Sequence, residues 1–152
     1  MARLLVVHHT PSPTVEELLH QALEGAGTDA IEDVDVATRP ALGATVSDVL
    51  DADGYLLVTP ANLGYMSGAL KHFFDTIYYP CLDATRGRPY GLLVHGNNDV
   101  DGAIVGVERI VTGLAWRAVS QPVKTIGDPT PEDRTACWEL GATVAASLQP
   151  DS

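Results

Sequence analysis

Three short stretches carry residues whose chemistry is not that of a core. The first, His9-Thr10-Pro11-Ser12-Pro13-Thr14, sets hydroxyls at every second position ahead of a helix-period segment. The free N–H groups and the dipole at a helix start favour an anion, so His9, Thr10, Ser12 and Thr14 suit a monoester phosphate. Helix capping explains the same residues, either Ser12 with Pro13 at the first helical position or Thr14 with Glu17 three residues on. A cap needs one hydroxyl and this loop offers more, whereas Pro11 and Pro13 lack the N–H that a phosphate cradle uses. The second stretch begins Thr59-Pro60-Ala61-Asn62-Leu63-Gly64-Tyr65-Met66. Gly64 permits close backbone approach and Tyr65 offers an aromatic face, which suits a planar ring. The alternative is that Tyr65 and Met66 are core residues opening a helix and Gly64 turns the chain. The third, His95-Gly96-Asn97-Asn98-Asp99-Val100-Asp101-Gly102, replaces apolar strand by amide and glycine chemistry. That composition fits a turn, and equally the donor and acceptor edge of a heterocycle. Asp99 or Asp101 reads as the cap of the following helix.

Other chemistries find less support. His8, His9 and His95 fall at strand ends, but no acidic partner or i, i+4 spacing completes a metal site. Adjacent strand residues also point to opposite faces, so His8 and His9 do not share a ligand easily. Cys81 and Cys137 are isolated, which suggests two buried thiols and neither a disulfide framework nor zinc. The third strand ends in Thr59, not in an acidic phospho-acceptor, and no GxSxG announces a hydrolase elbow. Nine Lys+Arg against twenty Asp+Glu give a formal charge of -11, which repels nucleic acid and anionic membranes alike. No apolar run approaches the roughly 18 residues of a membrane span, and no basic leader precedes one. The expectation is a cytoplasmic protein with no membrane and no nucleic-acid partner.

The elements that must position these loops follow from periodicity. With 152 residues, the whole chain (1–152) reads as one domain. Strand-length apolar runs alternate with helix-period segments, the pattern of a parallel sheet covered on both faces. Leu4 to Val7 is the first strand, followed by a helix with Val15, Leu18, Leu19, Ala22, Leu23 and Ala26 on one face and Gly25 and Gly27 at its end. A second strand near Val34 and Val36 interleaves Asp33 and Asp35, which suits an edge. Gly54 to Thr59 and Tyr90 to His95 are continuous apolar runs of buried central strands. The last strand, near Val119 to Ile126, contains Pro122 and belongs at the other edge. Helices are expected over Ser67 to Ile77, Gly102 to Ala115 and Thr130 to about Leu148, the last with Thr130, Pro131 and Asp133 as its capping residues. Polar edges at the second and fifth strands give a five-stranded α/β three-layer sandwich of order 2-1-3-4-5, flavodoxin-like, with its ligand crevice at the carboxyl ends of the central strands.

The segment Thr59-Pro60-Ala61-Asn62-Leu63-Gly64-Tyr65-Met66-Ser67-Gly68-Ala69-Leu70-Lys71, closing on Phe74-Asp75, resembles the third-strand loop and helix of the NAD(P)H-dependent FMN reductase and quinone reductase branch of the flavodoxin-like proteins. Arg86-Gly87-Arg88-Pro89 before an apolar strand is similar to that family's entry to its fourth strand. The resemblance implies FMN as cofactor and NADH or NADPH as reductant. It implies that Pro60, Ala61, Asn62, Leu63, Gly64 and Tyr65 lie beside the isoalloxazine, with His95, Gly96, Asn97 and Asn98 from the fourth-strand loop. It implies no catalytic side chain, because the flavin carries the hydride and the scaffold orients it.

Three functions follow, with different supports. An FMN-binding NAD(P)H oxidoreductase acting on a small flavin or quinone acceptor rests on the second loop. A flavodoxin-type electron carrier suits the acidic surface, although Tyr65 is the only aromatic across the two ring-side loops. A binding or assembly module that has lost FMN is supported by Pro11, Pro13 and the few glycines of the third loop. Tyr78, Tyr79, Pro80 and Cys81, in the connection before Pro89, suit an interface between copies of a homo-oligomer.

Overall fold

The strand β1 (Ala2–His8) turns successive side chains to opposite sides, so Leu4 and Val6 enter one apolar layer while Leu5 and Val7 enter another. The computed structural model describes residues 1–150. After β1 come α1 (Pro13–Ala26), β2 (Val34–Pro40), α2 (Val46–Asp51), β3 (Gly54–Asn62), β4 (Tyr65–Met66) and α3 (Gly68–Cys81). Then follow β5 (Pro89–Gly96), α4 (Asp101–Leu114), β6 (Arg117–Ala118), β7 (Val123–Ile126) and α5 (Pro131–Ala146). Helices α1 and α5 bury their apolar faces on Leu4, Val6, Leu56, Val58 and Leu93. Helices α3 and α4 cover Leu5, Val7, Leu57, Leu92 and Val94 from the other side. This is the three-layer flavodoxin-like α/β arrangement.

The sheet runs β2-β1-β3-β5-β6, with β7 also on β5 and β4 paired to β3. The long strands keep the anticipated order, with β2 at an edge and β1, β3 and β5 inside. The count is corrected from five strands to seven. Pro122, which has no N–H for the ladder, splits the last strand into β6 and β7. Pro89 pairs with Arg117 and Leu93 with Val123, an offset of 28 residues becoming one of 30, so the chain slips by two residues between the halves. The seventh strand, β4, folds back antiparallel on β3.

Two further departures have local causes. Gly25 does not end α1; it lies inside the helix, and Gly27 is the C-cap. A β-carbon on Gly25 would stand 1.9 Å from the Trp138 carbonyl oxygen, and one on Gly141 1.9 Å from that of Ala22, so two glycines let α1 and α5 touch backbone to backbone. The short helix α2 was not anticipated, although Thr45 and Asp48 form a full capping box at its start. Its far end is held by Arg88, whose Nη1 donates to the carbonyls of Val49 (3.1 Å), Leu50 (3.1 Å) and Ala52 (2.7 Å). A cation there complements the helix dipole. Beside it, Tyr55 donates to the Val49 carbonyl at 2.6 Å, and burial pushes its hydroxyl pKa up to about 12.

Candidate functional site

Ser12 opens α1 as its N-cap: its Oγ accepts the Val15 N–H at 3.3 Å, and Pro13 follows at the first helical position. The capping reading through Ser12 therefore holds, and the one through Thr14 does not. An N-cap occupies one lone pair of the hydroxyl and leaves its proton free to donate. Thr14, on the second helical residue, keeps an N–H of the kind that a helix start leaves without an intrahelical partner. Thr10 is otherwise engaged, its Oγ1 lying 3.2 Å from His8 Nδ1. Burial, with His9 beside it, holds the His8 pKa below the ordinary histidine value.

Across from α1, β3 runs on past the sheet and turns straight into β4. Ala61 pairs with Met66 and Asn62 with Tyr65, so Leu63 and Gly64 form a two-residue hairpin loop. Both have positive φ, 51° and 77°, as a type I′ turn demands. Neither Tyr65 nor Met66 opens the helix; Ser67 does, its Oγ accepting the Leu70 N–H at 3.2 Å. The buried Thr59 hydroxyl ties the hairpin's base by accepting the Ser67 N–H at 3.2 Å. Sequence reasoning missed this clasp, for which a lone threonine at the end of an apolar strand was the only sign. Glycine and asparagine suit a type I′ turn, whereas Leu63 is a branched side chain in the left-handed region and fully exposed. Leu63→Asn is therefore expected to raise stability by about 1 kcal/mol, read as a higher melting temperature. A melting temperature that stays or falls would contradict strain at the tip.

The third loop leaves the end of β5. His95 Nε2 lies 2.8 Å from the Gly127 carbonyl oxygen, and the Gly127 N–H donates to the Gly96 carbonyl at 2.9 Å. Since the carbonyl accepts, Nε2 is the protonated nitrogen, and a neutral ring keeps Nδ1 as an acceptor. Asp99 Oδ1 accepts the Asp101 N–H at 2.9 Å, so Asp99 supplies the polar start of α4, whose N-cap residue is Val100.

These loops meet in one cleft of about 290 Å³. Pro11, Ser12, Thr14 and Val15 form its α1 side, Pro60, Ala61 and Asn62 its β3 side, and His95, Gly96 and Asn97 its β5 side. No carboxylate is among them, although the chain carries twenty. Ser12, Thr14, Pro60, Ala61, Asn62, His95, Gly96 and Asn97 are thus brought together in one lining. His9, Thr10, Leu63, Gly64, Tyr65 and Asn98 stand outside that lining. Pro11 and Val15 join it unforeseen. The Tyr65 ring instead lies against α4, where a β-carbon on Gly106 would be 2.4 Å from it. Among the described residues, no group of three or more His, Cys, Asp or Glu side chains could hold a metal ion. Nor is any helix among them long and apolar enough to cross a membrane.

The comparisons with known proteins bear on the fold and the family. A flavodoxin of Aquifex aeolicus is 32% identical over 77 residues, covering 51% of this chain and 40% of that protein. The match thus spans less than half of that relative's length. Among solved structures, a Streptococcus pneumonia TIGR4 flavodoxin superposes with a TM-score of 0.82 at 19% identity, covering 97% of this chain and 100% of that one. An NADH:FMN oxidoreductase in its apo form gives 0.80 at 18% identity, covering 99% of this chain and 92% of that one. At such identities these structures speak for the fold alone. The sequence pattern of the NADPH-dependent FMN reductase family, however, matches residues 12–124, and the chain belongs to that family of flavodoxin-like, FMN-binding flavoproteins.

Proposed function

We propose that the cleft between α1, β3 and β5 holds FMN, and that the protein is an NAD(P)H-dependent oxidoreductase reducing a small flavin or quinone acceptor. The observation that carries the reading is a carboxylate-free cleft at a helix N-terminus in a chain of formal charge -11. The net charge repels an anion over the surface at large, whereas this cleft brings no carboxylate of its own and the α1 dipole favours an anion there. The donor set fits FMN: the Ser12 and Thr14 hydroxyls suit the phosphate, and the amides of Asn62 and Asn97 with the His95 ring suit the polar edge of the ring system. When bound, FMN supplies the hydride and electron chemistry. The protein's own residues bind and orient. Ser12 and Thr14 fix the phosphate end, the Ala61–Met66 hairpin supports the ring end from a rigid two-residue turn, and His95, pinned by Gly127, keeps one tautomer. No side chain is assigned as acid or base.

Direct reduction by a nicotinamide separates this reading from that of an electron carrier. Stopped-flow mixing of the FMN-loaded protein with NADH and with NADPH is expected to bleach the flavin absorbance within catalytic times with at least one of them. No bleaching by either would overturn the reductase. The carrier reading has its own support in the flavodoxin relative and the acidic surface; it predicts slow nicotinamide reduction and salt-sensitive binding to a basic redox protein. We further propose a homo-oligomer joined at the outer face of α3, where Tyr79 is exposed beside Tyr78.

A further inference from the structure

The hairpin tip does not stand free. A β-carbon on Gly102 would lie 1.9 Å from the Gly64 carbonyl oxygen and 2.9 Å from its carbon, closer than real contacts allow. One turn on, a β-carbon on Gly106 would lie 2.4 Å from Tyr65 Cε1 and 3.2 Å from Met66 Cε. Residues four apart share a helix face, so α4 offers a seat of two bare backbone positions, and β4 with the turn rests in it. The start of α4 is itself tied to the sheet by Lys124 Nζ on Asp101 Oδ1 at 3.2 Å. The left-handed Leu63 needs such external support, because strained backbone persists only where its surroundings over-determine it.

We propose that Gly102 and Gly106 are positioning residues for the cofactor site: they touch no ligand themselves but set how far the Leu63–Gly64 tip reaches towards the cleft. Gly102 meets backbone, so a methyl there must displace the whole turn. Gly106 meets a side chain, so a methyl there displaces chiefly the Tyr65 ring. The inference rests on the proposed FMN site, yet the seat can be read without FMN.

The same helix supplies the control. A β-carbon on Gly113 would lie 2.2 Å from the Tyr78 hydroxyl, an overlap of similar size at the opposite end of α4, away from the hairpin. Gly102→Ala, Gly106→Ala and Gly113→Ala are each compared with the wild type in two ways: the backbone amide signals of residues 61–66 in the apo protein, and the Kd and visible band position with FMN. Gly102→Ala is expected to shift the apo amide signals of the hairpin, weaken FMN binding at least tenfold and move the visible band. Gly106→Ala should do the same to a smaller degree, and Gly113→Ala should change neither readout whatever its melting temperature. Unmoved hairpin signals in Gly102→Ala, or FMN binding weakened equally by Gly113→Ala, would overturn the proposal. If the wild type binds no FMN, the FMN reading falls, and the amide signals alone decide the seat.

Discussion

Thr14→Asp is expected to weaken FMN binding about a hundredfold while leaving riboflavin binding unchanged. Thr14 is the second residue of α1 and lines the cleft. A carboxylate there would face the FMN phosphate, which carries a charge of nearly -2 at neutral pH. A single unit of that charge about 4 Å from the carboxylate already repels it by about 4 kcal/mol at a protein surface. Screening in an open cleft trims this to about 3 kcal/mol, a hundredfold in Kd. The same carboxylate at a helix start stabilises the apo protein by about 0.5 kcal/mol. Opposite signs on binding and on stability separate a phosphate site from a helix cap. Calorimetric titration with FMN and with riboflavin, beside an apo melting curve, checks both. Unchanged FMN affinity would mean that the hydroxyl loop is a cap and nothing more.

Gly141→Val is expected to cost about 3 kcal/mol of stability. The new β-carbon would meet the Ala22 carbonyl oxygen at 1.9 Å and its carbon at 2.8 Å. Both are backbone atoms of α1 and cannot rotate aside, so the two helices must separate and unpack Leu18, Ala22, Leu140 and Val144. In a chain of this length the melting temperature should fall by roughly 6–12 °C. Gly27→Ala provides the contrast. Its β-carbon would meet the Leu23 carbonyl oxygen at an ordinary 3.4 Å, and its φ of -95° suits any residue. That variant should melt at or slightly above the wild type, since it restricts the unfolded chain. Equal losses in both variants would remove the argument that α1 and α5 meet at backbone distance.

The large elements were legible because burial writes a period into them. The runs at Gly54 to Thr59 and Tyr90 to His95 have the length and continuous apolar character of central strands, and Val15 to Ala26 carries the spacing of one helix face. What escaped was short or tertiary. Helix α2 spans six residues, too few for a helical period, and only its Thr45 and Asp48 box announced it. The β4 hairpin turns on Leu63-Gly64, whereas Asn-Gly is the pair that signals a type I′ turn, so Pro60 to Met66 reads in the sequence as a loop with no strand in it. Pro122 marks an edge strand, but a proline's place in a ladder does not reveal a two-residue slip.

At the site, the three loops could be named because their polar residues interrupt apolar strands. Their contacts could not. The seating of Gly64 on Gly102, the clasp of Thr59 on Ser67 and the pinning of His95 by Gly127 each join residues through the folded backbone, with no local pattern to mark them. The Thr10 hydroxyl illustrates the same limit, since its chemistry suits a phosphate while the fold sets it against His8.

The central claim is that this cleft holds FMN, and titrating the apo protein with FMN while following flavin fluorescence and melting temperature tests it most directly. The account predicts saturable quenching at one FMN per chain and a melting temperature that climbs with added FMN. At a hundredfold excess of ligand over Kd the stabilisation is about 2.7 kcal/mol. Unquenched fluorescence together with a melting temperature indifferent to FMN would contradict it, and would leave a flavodoxin-like fold serving another purpose.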